Sequence, residues 1–227
     1  MEFVWKDKYL VVLCFVLTLV VIGCGRNTQM ESVTAVPSEL QEHTSEQTSE
    51  AIHFPDPNLD AVIRESLGKK PDDQISKIDL ASLTHLEAPF RGITSLQGLE
   101  YCVNLSTLRL SENHIADISP LSSLTNLTGV DLAFNQLEDL TVLSELTKLN
   151  LLYVPGNHIS DVSFLSDLTK LTGLGLQDNQ IDDITPLSRL TKLVHLDLSE
   201  NQINDIYPLS NLTQLTELHL STNEISD

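Results

Sequence analysis

The chain has 227 residues, of which 41% are hydrophobic, and a formal net charge of −19 at neutral pH. This length and composition suit one substantial folded domain with a core of its own. The strongly acidic charge repels phosphate backbones and anionic lipid headgroups, which argues against nucleic acid as a partner and against a polybasic membrane contact.

The first 23 residues have the organisation of an export signal. Lys6 and Lys8 precede an apolar run from Leu10 to Ile22, and Cys24 follows the run directly after a glycine. The closing stretch Val-Ile-Gly-Cys resembles a bacterial lipobox. This resemblance implies a lipoprotein signal peptide that is cleaved before Cys24, whose thiol would carry a diacylglycerol anchor. An ordinary cleaved signal or a membrane-spanning helix is the alternative, but 13 apolar residues fall short of the roughly 20 that a span needs.

Residues 24–50 are predicted to be the lipidated cysteine followed by a disordered tether. Residues 25–50 are rich in Ser, Thr, Glu and Gln and contain few apolar residues, so they cannot bury enough surface to fold. Two or more acyl chains hold a protein stably at a membrane. We therefore expect a lipid-anchored protein that faces outward from a bacterial cell membrane.

Residues 51–82 are predicted to form a helical N-terminal cap. Asp56 suits the capping position of a helix, Pro57 suits its first turn, and Gly68 suits its end. Four apolar residues between them recur on one helical face: Leu59, Val62, Ile63 and Leu67. Such a cap would cover the open apolar end of a stack of repeats.

From Leu105 onwards the chain repeats every 22 residues. Asparagine occupies the same position of every row: Asn113, Asn135, Asn157, Asn179, Asn201 and Asn223. The rows begin with the pattern L-x-x-L-x-L-x-x-N, whose alternation is typical of a short strand with one face inward. A side-chain amide can donate to and accept from backbone groups that a turning chain leaves unpaired. The column therefore predicts a structural asparagine ladder.

Each row continues with an aspartate, and in three rows a proline follows three residues later. The aspartates are Asp117, Asp139, Asp161, Asp183, Asp205 and Asp227, and the prolines are Pro120, Pro186 and Pro208. Aspartate can cap a tight turn or a short 3₁₀ segment, and proline favours the bend. We predict such a segment in each row.

This 22-residue pattern resembles the internalin group of bacterial leucine-rich-repeat proteins, from Leu83 to the C-terminus. The resemblance implies an α/β fold: a right-handed leucine-rich-repeat solenoid with a parallel β-sheet on its concave face, 3₁₀ and irregular structure on its convex face, and the helical N-terminal cap. The row from Leu83 to Asn104 is degenerate, since Arg91 stands at the asparagine position and Cys102 at a leucine position. We expect Cys102 to be a buried, unreactive side chain and predict no intramolecular disulfide.

The repeats over residues 83–227 end in an incomplete row, because the chain stops at Asp227 before the second half of that row. An exposed strand edge and an open core favour association. Either the sequence is a fragment of a longer protein, which is the expectation favoured here, or the last repeat pairs with another molecule.

No motif for catalysis or for a cofactor is found in the sequence. It lacks a His-Glu-x-x-His zinc pair, a Gly-rich phosphate loop and a Gly-x-Ser-x-Gly elbow. The Asp and Asn residues follow the repeat spacing, and no twelve-residue calcium loop is present. We therefore expect a protein that is not an enzyme and that needs no cofactor or metal.

The residues between the inward leucines point to solvent and change from row to row. The partner-binding residues predicted on this face are Arg109, Asp131, Phe134, Leu151, Tyr153, His195, Asp197 and His219. Tyr153 and Phe134 are its aromatic residues, and aromatic anchors are common binding hot spots. We expect a surface protein that recognises a protein or a glycan, in adhesion if the internalin resemblance extends to function. A structural spacer or assembly module, or the N-terminal part of a larger multidomain surface protein, is the alternative.

Overall fold

The computed structural model describes residues 51–226, so the predicted signal peptide, Cys24, the tether and Asp227 lie outside the described residues. The described part contains two helices, α1 (Pro57–Leu67) and α2 (Lys77–Ala81). Its strands are β1 (His85–Glu87), β2 (Thr107–Arg109), β3 (Gly129–Asp131), β4 (Leu151–Tyr153), β5 (Gly173–Gly175), β6 (His195–Asp197) and β7 (Glu217–His219). None of the helices in this part has the length and apolar content of a membrane span.

The seven strands form one parallel sheet in sequence order, which confirms the predicted solenoid. Paired residues are one 22-residue row apart, as in the pair Leu108 and Val130. The middle residue of each strand points inward, and this column is buried from Leu86 to Leu196. Leucines, isoleucines and valines of the other apolar columns join it in one continuous core.

Short 3₁₀ segments return the chain from one strand to the next on the convex side, also as predicted. They span Leu99–Tyr101, Ser119–Leu121, Thr141–Glu145, Ser163–Asp167, Thr185–Arg189 and Tyr207–Asn211. Five of these six segments, all but Leu99–Tyr101, are preceded by a capping aspartate: Asp117, Asp139, Asp161, Asp183 and Asp205. Each accepts, at 2.8 Å, the backbone N–H two residues further on. These bonds satisfy backbone donors that a short helical turn leaves free.

The asparagine column lies inside the turn that follows each strand. Asn157 Nδ2 donates to the carbonyl oxygens of Leu132, Val154 and Pro155 at 3.0–3.2 Å. Its Oδ1 accepts the Leu137 N–H at 3.0 Å. The same four kinds of bond recur at other rungs of the column, including Asn135 and Asn201. Each rung therefore joins its own repeat to the one before it.

The N-terminal helix α1 is joined to the first repeat by the buried carboxylate of Asp56. Oδ1 caps the helix, accepting the N–H groups of Asn58 and Leu59 at 2.9 and 3.0 Å. Oδ2 accepts the Thr94 N–H and hydroxyl and the Ser95 N–H at 2.7–3.1 Å. Burial raises the pKa of Asp56, but these hydrogen bonds outweigh it and the pKa lies below its usual value.

The degenerate first repeat differs from the others where it meets the cap. Arg91, which stands at the asparagine position, forms an ion pair with Glu65 of α1. Asparagine is not needed there, because α1 rather than another repeat precedes this row. Cys102 is fully buried, and burial followed by the charge of Glu100 raises the pKa of its thiol to about 12. The burial of Cys102 is as predicted, and a raised thiol pKa disfavours the reactive thiolate.

Candidate binding surface

The strands present two columns of side chains to solvent, and together these columns are called the concave face below. The first column is His85, Thr107, Gly129, Leu151, Gly173, His195 and Glu217. The second column is Glu87, Arg109, Asp131, Tyr153, Gly175, Asp197 and His219. The middle residues of the strands face the core, so only these columns can meet a partner on the sheet.

At the centre of the concave face, Leu151 and Tyr153 lie across the glycines of β5. A β-carbon added at Gly173 would lie 2.8 Å from Leu151 Cδ2 and 3.1 Å from Tyr153 Oη. One added at Gly175 would lie 2.8 Å from Tyr153 Cδ1. Both glycines are buried under these side chains. Because β5 carries no outward side chains, Leu151 and Tyr153 can lie flat across it. Leu151, Tyr153, Gly173 and Gly175 are together called the central patch.

An unpaired acceptor lies beneath the central patch. Gln177 follows Gly175 by two residues, and its Oε1 is 3.2 Å from the place a β-carbon at Gly175 would take. Among the described residues, it is a buried side-chain oxygen without a hydrogen-bond partner. This oxygen is enclosed beside the Tyr153 ring, and a buried polar atom without a partner costs free energy.

Charged residues flank the central patch on its N-terminal side. Arg109 Nη1 is 3.1 Å from Glu87 Oε1, and Arg109 Nε is 3.9 Å from Asp131 Oδ2. Burial raises the pKa of Asp131 above its usual value, although the Ala133 N–H and the Arg109 charge act in the opposite direction. Burial, followed by the charges of Asp131 and Glu217, also raises the pKa of Tyr153. Asp131 and Tyr153 therefore share a partly desolvated site, in which a new contact is worth more than in water.

The C-terminal side of the concave face is more open. His195 Nδ1 lies 3.1 Å from Glu217 Oε2, and both side chains are exposed. Asp197 Oδ1 accepts the Ser199 N–H at 3.0 Å, and His219 is exposed on β7. These residues lie in the two columns of the concave face, two or more strands away from Tyr153.

Phe134 is not part of the sheet. It follows β3 in a left-handed turn with φ of 52°, and one edge of its ring occupies the space that a β-carbon at Gly156 would take. Tyr153 lies on the glycines of β5 instead, so the two rings rest on successive repeats. The other predicted residues, from Arg109 to His219, all lie in the two columns of the concave face.

Sequence reasoning missed several residues of this surface, including Thr107 and Gly129 in complete rows. His85 and Glu87 belong to the degenerate row, yet they stand one row before Thr107 and Arg109 and could have been found by counting back 22 residues. Gln177 could have been found by continuing the strand alternation two residues beyond Gly175. Within residues 51–226, no group of three His, Cys, Asp or Glu residues is placed to hold a metal ion.

Comparisons with known proteins place this geometry in a family. The family pattern "Leucine Rich repeats (2 copies)" matches residues 103–146, 144–189 and 191–227, which is more than half of the chain. Internalin H of Listeria monocytogenes is 35% identical over 75 residues, a match that covers 33% of this chain and 14% of that protein. The chain thus spans only a small part of this curated relative.

Two crystal structures from Listeria monocytogenes are similar to the chain over 77% of its length. An internalin (inlF) is 36% identical, with a TM-score of 0.66, and the match covers 58% of that chain. Internalin C2 is also 36% identical, with a TM-score of 0.63, and the match covers 87% of that chain. The similarity thus extends over about three quarters of the chain.

Proposed function

The chain belongs to the internalin-like leucine-rich-repeat proteins, and we propose from this premise that it is a bacterial surface lipoprotein that binds a protein or glycan partner through its concave face. The central patch carries this proposal. Leu151 and Tyr153 form a preorganised apolar surface, Asp131 lies beside it, and the unpaired Gln177 oxygen lies below it. Binding hot spots have this composition: an aromatic anchor with polar groups that are already partly desolvated.

The proposal assigns no catalytic step to the chain. On the concave face Arg109 is paired with Glu87 and His195 with Glu217. Rigid parallel strands instead fix the outward side chains, which lowers the entropy cost of binding a partner. The proposed role in adhesion follows from this surface together with the proposed lipid anchor at Cys24.

The lipid anchor is tested by expressing the full chain and Cys24→Ala in a bacterial host that is fed a palmitate label. We expect the wild type to be labelled, to fractionate with the membrane and to be cut by protease added outside the cells. Cys24→Ala should lose the label and leave the membrane fraction, because a single thiol is the attachment point. An unlabelled wild type in the medium or the cytosol would rule out the anchor and the surface location.

The binding function is tested by probing arrays of extracellular protein domains and of glycans with the full chain and with Tyr153→Ala. We expect Tyr153→Ala to weaken binding to any partner of the concave face by about 30-fold or more, the range of a hot-spot residue. Tyr207→Ala is the matched control, because Tyr207 is 79% exposed in the 3₁₀ segment Tyr207–Asn211 on the convex side.

Thermal melts of both tyrosine variants check that the repeats remain folded. Equal binding by the wild type and Tyr153→Ala would refute recognition through the central patch. If no arrayed protein or glycan binds the wild type, the chain is better explained as a spacer or assembly module.

A further inference from the structure

The chemistry of the partner can be inferred from the charged residues on both sides of the central patch. Of the seven described strands, only β5 has glycine at both outward positions. Tyr153 covers it from β4. From the other side, Glu217 of β7 approaches β6, where its Oε2 lies 3.1 Å from Nδ1 of His195, the register partner of Gly173. The tyrosine therefore has a carboxylate on its C-terminal side.

Asp131 supplies a second carboxylate on the N-terminal side. It is the register partner of Tyr153 on the neighbouring strand, and neighbouring strands lie about 4.8 Å apart. Its Oδ1 accepts the Ala133 N–H at 3.1 Å. Its Oδ2 accepts no hydrogen bond within residues 51–226, and Arg109 Nε, at 3.9 Å, is too far away to donate one. Asp131 therefore offers an acceptor oxygen beside the central patch.

The charges of the two carboxylates act together on Tyr153. Burial is the main reason why the pKa of its hydroxyl is raised, and the charges of Asp131 and Glu217 raise it further. Negative charges that oppose ionisation of the phenol stabilise a positive charge at the same place. The face of an aromatic ring also attracts a cation. The ring and its flanking residues therefore favour the same kind of ligand group.

The concave face has too few cations of its own to balance its carboxylates. Its carboxylates are Glu87, Asp131, Asp197 and Glu217, and its one lysine or arginine is Arg109. Arg109 is already paired with Glu87 at 3.1 Å. The excess negative charge attracts a basic partner over a distance and repels an acidic one.

We infer that the central patch binds an arginine side chain of a protein partner, with its guanidinium over the Tyr153 ring and its N–H groups donating to Asp131. A guanidinium is planar, so it can stack on a ring and donate to a neighbouring carboxylate at once. The inference rests on the proposed function and assigns a partner class to the same surface. A neutral glycan would contact the apolar side chains but would not neutralise the carboxylates.

The probe is a short Ser-Gly peptide with three spaced arginines, compared with the same peptide carrying citrulline, the neutral isostere of arginine. Affinities for the full chain are measured by calorimetry, and the site is located by NMR shifts of the Gly173 and Gly175 amides beneath the patch. We expect the arginine peptide to bind and to shift these amides. Citrulline should weaken binding by about tenfold or more. Equal binding of the two peptides would overturn the inference.

Asp131→Asn tests the carboxylate without removing its side chain. Asparagine keeps an oxygen for the Ala133 N–H and loses only the charge, which burial disfavours, so the variant should melt no lower than the wild type. We expect it to bind the arginine peptide about tenfold more weakly or worse.

Asp178→Asn is the matched control, because it removes the same charge from an exposed residue outside the strands. Asp178 has φ of 55°, which asparagine tolerates well. Its binding should change by less than about twofold, the effect of a distant surface charge. Equal losses in the two variants would mean that the peptide responds only to the overall acidic charge, and the inference would be wrong.

The arrays described above separate this inference from the proposed function. If an arrayed partner needs Tyr153 but binds Asp131→Asn as it binds the wild type, the inference is overturned and the proposed function stands. A neutral glycan that behaves in this way identifies the ligand class instead. If neither the arginine peptide nor any arrayed molecule binds, both proposals are refuted.

Discussion

Asn157→Ala is expected to lower the free energy of unfolding by about 3–5 kcal/mol, because it removes four hydrogen bonds from a buried site. Asn157 is only 5% exposed, and alanine leaves the Leu137 N–H without its partner. It also removes one of the two donors that the carbonyl oxygens of Leu132, Val154 and Pro155 each have. For a domain of this size the loss corresponds to a fall in melting temperature of about 10 °C or more. Thermal and urea denaturation of the full chain measure it.

Asn223→Ala is the matched control for this prediction. Asn223 makes the same kinds of bond, to Leu198 O, Leu220 O and Ile203 N, but in the last described rung, where it is only half-buried. Water can replace the lost amide there, so we expect a loss of about 1 kcal/mol. Similar losses in the two variants would show that buried backbone groups do not explain the ladder.

The two asparagines illustrate what the sequence could predict. A repeat of constant length brings every column into register, so the 22-residue rows predicted one strand per row, its inward leucines and the 3₁₀ segments capped by aspartate, while the internalin resemblance implied the parallel sheet. The same periodicity predicts nothing about a row that departs from it. Arg91 could be recognised as out of pattern, but its ion pair with Glu65 depends on where α1 lies.

The position of Phe134 shows a second limit of the pattern. Strand alternation assigns side chains to one face or the other only while the backbone stays extended. The chain leaves the strand after Asp131 and turns with positive φ at Phe134, so its ring lies on Gly156 rather than in the sheet columns. Alternation from Asp131 would put Ala133 outward and Phe134 toward the core, so the grouping of this ring with Tyr153 did not follow from the strand pattern.

The sequence could locate the central patch but could not predict its shape. The rows place Leu151 and Tyr153 on one strand and glycines at the matching positions of the next. Which way the two side chains lean across the sheet depends on rotamers, and the period does not specify these. Only the structure shows that both cover β5, and therefore that the glycines determine the shape of the patch.

Gly173→Val is expected to weaken binding of a concave-face partner by about 100-fold while the fold is retained, which is a larger effect than that of Tyr153→Ala. The new side chain would meet Leu151 Cδ2 at 2.8 Å and Tyr153 Oη at 3.1 Å, so it would lift both residues off the sheet and stand in the place they leave. Valine suits a strand, and Gly173 does not have positive φ, so the repeats should melt no lower than in the wild type.

Gly129→Val is the matched control, because Gly129 stands in the same column of the concave face, two strands earlier. A β-carbon there meets only Thr107 Cγ2, at 3.8 Å, so valine would leave Leu151 and Tyr153 in place. Binding should then fall less than about tenfold, the cost of a peripheral contact. If the two valine variants reduce binding equally, added side-chain volume anywhere on the concave face interferes with the partner, and the central patch has no special role. If only Gly173→Val does so, recognition depends on the leucine and tyrosine lying flat on β5, and glycine at this position is a binding determinant that contributes no contact of its own.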